Sequence, residues 1–242
     1  MSDRHEAPGR RRVVRAALTG AVAVAAGLGS GARGTPSAVR AAGAAALRPT
    51  SPETALGALV AGNARWRTYH ERHPDQTRTV RRTLVGGQHP FAVVLGCVDS
   101  RVPPELVFDQ GLGDLLTVRS AGEVLDEAVL GSIAYGVLEL DIPLIVVLGH
   151  QSCGAVAAAV RAHEGGPPLP GHMQYLVDQI HPAIDRRLRG AARIDAAITA
   201  NVRLVSSRLG AEPELAARIA ARKLAVVGAR YELTSLRVRG IR

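Results

Sequence analysis

The chain has 242 residues, 47% hydrophobic and 21% charged, a balance that excludes a disordered polymer and a collagen-like repeat. Two cysteines, Cys97 and Cys153, exclude a disulfide-rich scaffold, and aromatics at 3% argue against a base-stacking nucleic-acid module. The formal charge of +9 is nearly all arginine, Lys223 being the only lysine, and residues 1–41 alone hold seven arginines against two acids. The remainder is mildly basic with both signs interspersed, as on a solvated surface, so no nucleic-acid partner is expected.

Residues 1–41 are laid out as a signal segment. Gly9-Arg10-Arg11-Arg12-Val13-Val14-Arg15 is basic, and Ala16 to Ala32 follows without a charge. That run holds four glycines and is shorter than the roughly 20 apolar residues a membrane-spanning helix needs. A basic region, a modest apolar stretch and small residues afterwards describe an export signal. The arginine run before Val-Val-Arg resembles a twin-arginine (Tat) signal, an address read by export machinery. Transient contact with that machinery and a location across the cytoplasmic membrane are therefore expected. A basic tail and an uncleaved anchor are the alternatives. Residues 42–51 read as a linker.

From residue 52 onward the pattern is that of a folded domain. Ser51-Pro52-Glu53 starts a helix, continued by Leu56, Leu59, Val60 and Trp66 at helical spacing. Arg78 to Val85 predicts a second short helix. Phe91 to Gly96, Leu115 to Val118 and Pro143 to Gly149 are short apolar runs suited to strands buried on both faces, and Leu224 to Ala229 reads as a final strand. Helices are predicted over Asp126 to Leu138, Ala155 to Ala162, Met173 to Arg187, Ile194 to Leu209 and Glu212 to Lys223, with His181-Pro182 beginning or interrupting one. Gly165 to Gly171 reads as a loop, and Thr234 to Val238 as a partner for the last strand. Strands alternating with helices predict an α/β domain over residues 52–242, with a mainly parallel sheet flanked by helices.

Three residues with chemistry converge on strand ends. Cys97 follows one buried strand, and His150 and Cys153 follow another. Open α/β sheets place their sites at the carboxyl ends of strands. Two thiolates and an imidazole suit zinc, and three protein ligands leave a fourth tetrahedral position open. Plain burial of the cysteines and a Cys97–Cys153 disulfide remain open on these residues alone.

The flanking residues go further. Cys97-Val98-Asp99-Ser100-Arg101 and His150-Gln151-Ser152-Cys153 together resemble the two signature blocks of the β-class carbonic anhydrases. Ala61 to Trp66, Phe108 to Asp114, Val118 to Gly122 and Val226 to Tyr231 extend the likeness over about residues 52–242. The resemblance implies one zinc per subunit on Cys97, His150 and Cys153. It implies reversible hydration of CO2 to bicarbonate and a proton, by attack of zinc-bound hydroxide. It implies Asp99 as hydrogen-bond acceptor, paired with Arg101 and able to become a fourth metal ligand. Gln88 and Tyr135 stand where plant-type members carry substrate-orienting residues, although Gln88 also reads as an ordinary loop residue. Val94 replaces the tryptophan of members with an inhibitory bicarbonate pocket, so that pocket is not expected. Leu116 replaces a phenylalanine, which leaves open a sibling hydrolase of carbonyl sulfide or carbon disulfide. An inactive zinc-binding envelope protein is the alternative outside enzymes. The family's site lies at a subunit interface, so a homodimer or larger homo-oligomer is expected, with residues 52–70 embracing the partner.

Overall fold

The first helix begins where the sequence marks it. The Ser51 hydroxyl accepts from the Thr54 N–H, and Thr54 accepts from the Ser51 N–H, which satisfies two donors that a helix start leaves free. Pro52 sits where a missing N–H costs nothing. The computed structural model describes residues 48–241; the predicted signal segment and most of the predicted linker lie outside these residues.

In chain order the elements are α1 Pro52–Arg67, α2 Arg78–Thr83, β1 Ala92–Gly96, α3 Pro104–Val107, β2 Leu115–Arg119, α4 Glu127–Leu138, β3 Leu144–His150, α5 Gly154–His163, α6 Met173–Ile180, α7 Gly190–Ala211, α8 Pro213–Ala220, β4 Ala225–Glu232 and β5 Arg237–Ile241. The sheet order is β2-β1-β3-β4-β5. The first four strands are parallel, and β5 returns antiparallel to β4. The predicted architecture is therefore the observed one.

Burial explains why the strands were readable. Every residue of β1 and β3 is buried, because helices cover both faces, and such strands need unbroken apolar sequence. One face carries α4, α7 and α8, where Ile133, Val137, Val202 and Leu209 meet Val93, Leu95, Ile145 and Val147. The other carries α1 and α3, where Leu59 and Val107 meet Val94, Val146 and Leu148. Each such fully buried side chain contributes about 1.5–3 kcal/mol relative to exposure.

Helix α1 buries Ala55, Leu59 and Asn63 but leaves Leu56 and Val60 at the surface. Its approach to the body depends on Gly62. A Cβ there would stand 1.7 Å from the Phe108 carbonyl oxygen, so no side chain fits. Asn63 then links three parts of the fold. Its amide nitrogen donates to the Val107 and Leu236 carbonyls, and its oxygen accepts from the Val238 N–H.

Several boundaries differ from the sequence expectation. The helix predicted over Met173 to Arg187 ends at Ile180, and His181–Ala183 forms a 3₁₀ turn. Pro182 has no N–H to continue the α-helical ladder, and its ring clashes with the preceding turn. The second helix divides into α2 and a 3₁₀ turn over Leu84–Gly86. Helix α7 is longer than predicted and α8 shorter. The last predicted strand begins at Arg237 rather than Thr234, since Thr234 lies in the turn before it. Helix α3, four residues long, carries too little periodicity to be seen in the sequence.

Candidate metal centre

The sheet topology opens a crevice between β1 and β3. After β1 the chain crosses toward β2, and after β3 it crosses toward β4, on the opposite side. The loops therefore part at the carboxyl ends of these neighbouring strands, the usual site position in open α/β sheets. Gly96, the last residue of β1, is paired with Leu148. Cys97 follows at once, His150 closes β3 two residues beyond Leu148, and Cys153 caps α5.

The three side chains converge. All are buried, and their donor atoms lie within 4.8 Å of one another. The Sγ atoms are 4.0 Å apart and both cysteines are free, so the disulfide reading falls. His150 Nδ1 lies 2.9 Å from the Gln151 carbonyl, which fixes its proton there and turns the Nε2 lone pair inward. That Nε2 is buried without a hydrogen-bond partner, an arrangement that costs free energy unless a ligand meets it. Tetrahedral zinc with bonds of about 2.3 Å to sulfur holds two thiolates about 3.8 Å apart. The donor set and its spacing fit zinc.

The electrostatics favour ligation. The Cys97 thiol is lowered to about 4, first by its hydrogen bond with Cys153, against burial, and further by His150 and the Gly122 N–H. Cys153 is raised by the same sulfur contact and by burial. Burial would lower the His150 imidazole, but the adjacent Cys97 sulfur and the Gln151 carbonyl leave it raised.

Asp99 and Arg101 sit at the mouth. Arg101 donates through Nε and Nη2 to the two Asp99 carboxylate oxygens at 2.9 and 2.7 Å, and its backbone N–H adds a third bond. This pairing lowers the Asp99 carboxyl to about 2, against partial burial. Asp99 Oδ2 is 3.8 Å from His150 Nε2. Asp99 thus borders the donor trio rather than joining it. Its place as a fourth metal ligand is held off by the arginine.

The structure separates Gln88 and Tyr135 from this cluster. Gln88 borders a surface trough with Leu84, Val85 and Leu112. Tyr135 is 49% exposed on α4, beside the edge strand β2, in a trough with Leu116, Thr117 and Val118.

Other residues brace the site without having been singled out in the sequence. Arg119, closing β2, donates to the carbonyls of Cys97 at 2.8 Å and Asp99 at 2.7 Å. The Gly122 N–H donates to Cys97 Sγ at 3.4 Å, and its carbonyl accepts from Asn201. Gly122 has φ +66, and a Cβ there would approach Ile180 at 2.8 Å, so the donor position requires glycine. Glu123 beside it is fully buried, and its carboxyl is raised well above the ordinary value, chiefly by burial and then by Cys97. Arg119 and Gly122 both lie in the Val118 to Gly122 segment that resembles the family, while Glu123 and Asn201 lie outside it.

The Arg119 fork gives a direct expectation. Arg119→Ala releases two carbonyls that shape the Cys97–Asp99 turn, and zinc affinity falls by about 10–100-fold, as for other outer-sphere supports. Arg119→Lys restores little of it, since one ammonium cannot reproduce the planar fork. Competition against a chelator measures both; wild-type affinity in Arg119→Ala would refute the bracing role.

Known proteins agree with this geometry. The family model described as carbonic anhydrase matches residues 92–238. Carbonic anhydrase 2 of Mycobacterium tuberculosis is 44% identical over 186 residues, covering 76% of this chain and 90% of that protein. The carbonic anhydrase of Mycolicibacterium smegmatis is 44% identical over 191 residues, covering 78% and 93%. Among solved structures, a tetrameric β-carbonic anhydrase of Sordaria macrospora aligns with TM-score 0.63 at 25% identity, covering 78% of this chain and 97% of that one. A Coccomyxa β-carbonic anhydrase solved with acetazolamide aligns with TM-score 0.60 at 26% identity, covering 66% and 75%. The chain belongs to the carbonic anhydrase family, and its parallel sheet with a Cys-His-Cys cluster at the strand ends is that of the β class.

Proposed function

We propose that the protein is a zinc enzyme that reversibly converts CO2 and water to bicarbonate and a proton. The observation that carries this reading is the buried Cys97–His150–Cys153 trio, with an unpartnered imidazole nitrogen, beside an arginine-held aspartate. Zinc, when bound there, supplies a Lewis acid that makes hydroxide available near neutral pH. Cys97, His150 and Cys153 hold it. Asp99, kept ionised by Arg101, can only accept hydrogen bonds. A hydroxyl group entering the mouth therefore turns its proton to Asp99 and a lone pair away from it. Arg101 also donates to the Ser152 carbonyl, which ties the two signature loops together and fixes where Asp99 stands.

Stopped-flow CO2 hydration on zinc-loaded protein tests this. Activity rises between about pH 6.5 and 9, as the ionisation of metal-bound water requires. Cys97→Ser loses both zinc and activity. Asp99→Asn keeps zinc and loses roughly 10²–10³-fold, the range for removing one preorganised hydrogen-bonding group. Arg101→Ala frees Asp99 to reach the metal and loses most activity at the acid end. No CO2 hydration with zinc fully bound overturns the assignment. Turnover of carbonyl sulfide or carbon disulfide by that same sample then marks the sulfur-substrate sibling, and its absence a non-catalytic zinc protein.

A homodimer completes the reading. Strand β2 is a sheet edge with half-buried side chains, and an unpaired edge is a template for another chain. Tyr135 and Gln88, away from their own subunit's trio, are placed by this reading at the partner's site. Sedimentation finds a dimer or larger assembly, and Tyr135→Arg shifts it toward monomer with activity lost and zinc retained. A fully active wild-type monomer refutes the arrangement.

Export rests on residues 9–32. Among the described residues no helix is long and apolar enough to cross a membrane, so the domain offers no anchor of that kind. A twin-arginine route carries folded protein and would let zinc protect both sulfurs before crossing. Replacing Arg10, Arg11 and Arg12 by lysine abolishes export of a reporter fusion; undiminished export rejects the route.

A further inference from the structure

A second cluster of metal-binding side chains lies outside the site described. His163 is the last residue of α5, and His181 opens the 3₁₀ turn after α6. His163 Nδ1 and His181 Nε2 face each other at 2.8 Å, with ring centroids 4.8 Å apart and tilted by 57°. His181 is exposed and His163 half-buried, so the pair is open to solvent on a rigid helix end.

We propose that His163 and His181 form a second, two-histidine site for a borderline divalent cation such as zinc or nickel. Imidazole suits these ions. Metal–nitrogen bonds of about 2.0–2.1 Å place two cis nitrogens about 2.9–3.4 Å apart. The rings need to part by about a few tenths of an ångström and to turn so that the two facing lone pairs converge on one point. The ring that donates in the present hydrogen bond moves its proton to its far nitrogen. Both facing lone pairs are then free, and no proton need leave the pair. Water fills the remaining positions. The surroundings favour the neutral form of His163, which lies below its ordinary value through its slight burial, His181, Arg186 and Arg193, with Glu164 opposing. Glu164 offsets Arg193, to which it is paired at 2.6 Å, so the repulsion on an incoming cation is reduced. This inference needs nothing from the Cys97–His150–Cys153 reading beyond that trio being filled first.

The test is calorimetric titration of Ni²⁺ into full-length protein whose bound zinc has been counted. Wild type takes up one further Ni²⁺ per subunit. His163→Ala and His181→Ala each lose that event while keeping the original zinc and the thermal midpoint. His172→Ala, at the opposite end of α6, keeps it. Absence of a further event in wild type, or its survival in both single variants, overturns the proposal. Failure of zinc to bind the cysteine trio would show instead in the initial zinc count.

Discussion

The reversal of winding direction between the parallel strands β1 and β3 is the constraint on which the rest depends. Parallel strands need crossover connections, and these connections run in one hand. The chain must therefore leave β1 on one side and β3 on the other, and a gap opens between two strands that are otherwise bonded along their length. The gap is where backbone groups lose their ladder partners and where helix α5 can start. Two cysteines and a histidine placed within three residues of those strand ends need no further folding to meet. Catalytic precision here follows from sheet topology more than from any flexible loop.

That position has a cost that the surrounding residues offset. Two thiols, an imidazole and the carboxyl of Glu123 are all withdrawn from water. Unmet polar groups of this kind destabilise a fold by about 1–3 kcal/mol each. The chain answers with main-chain groups, the Gly122 N–H on one sulfur and the Gln151 carbonyl on the imidazole, and the Asn201 side-chain amide holds Gly122 in place through its carbonyl. Besides one Glu123 carboxylate oxygen, the buried atom of this corner left without a partner is the imidazole nitrogen beside the sulfurs. A metal satisfies it and neutralises the thiolates together, so folding of this corner and metal binding are linked.

Much of this was legible in the sequence because it depends on residue type. Strands β1 and β3 are buried on both faces and must be apolar throughout, and the ligand blocks need sulfur, imidazole and carboxylate at set spacing. The unread parts depend on geometry instead. Arg119 acts on main-chain carbonyls, which leave no trace in side-chain identity, so it looks like any arginine after a strand. Leu56 and Val60 keep helical periodicity yet face outward, because Gly62 and Asn63 decide how α1 is rotated against the sheet. Gln88 and Tyr135 sit in troughs of their own, and a single chain's sequence cannot say which subunit's site a residue serves. Pro182 reads as punctuation that could begin or interrupt a helix, and the structure makes it an end: α6 stops at Ile180 and a 3₁₀ turn follows.

Asn63 carries one more consequence. Its single amide holds the α3 end, the β4–β5 hairpin and α1 in a common knot, and all three of its bonds are made to backbone. If the hairpin peels away, a buried amide on α1 loses two partners at once, and if α1 lifts, the hairpin loses the support for Leu236 and Val238. The two ends of the domain, separated by most of the sequence, therefore open and close as one cooperative unit. Proteolytic trimming at the carboxyl end would be felt first in α1, at the amino end of the domain.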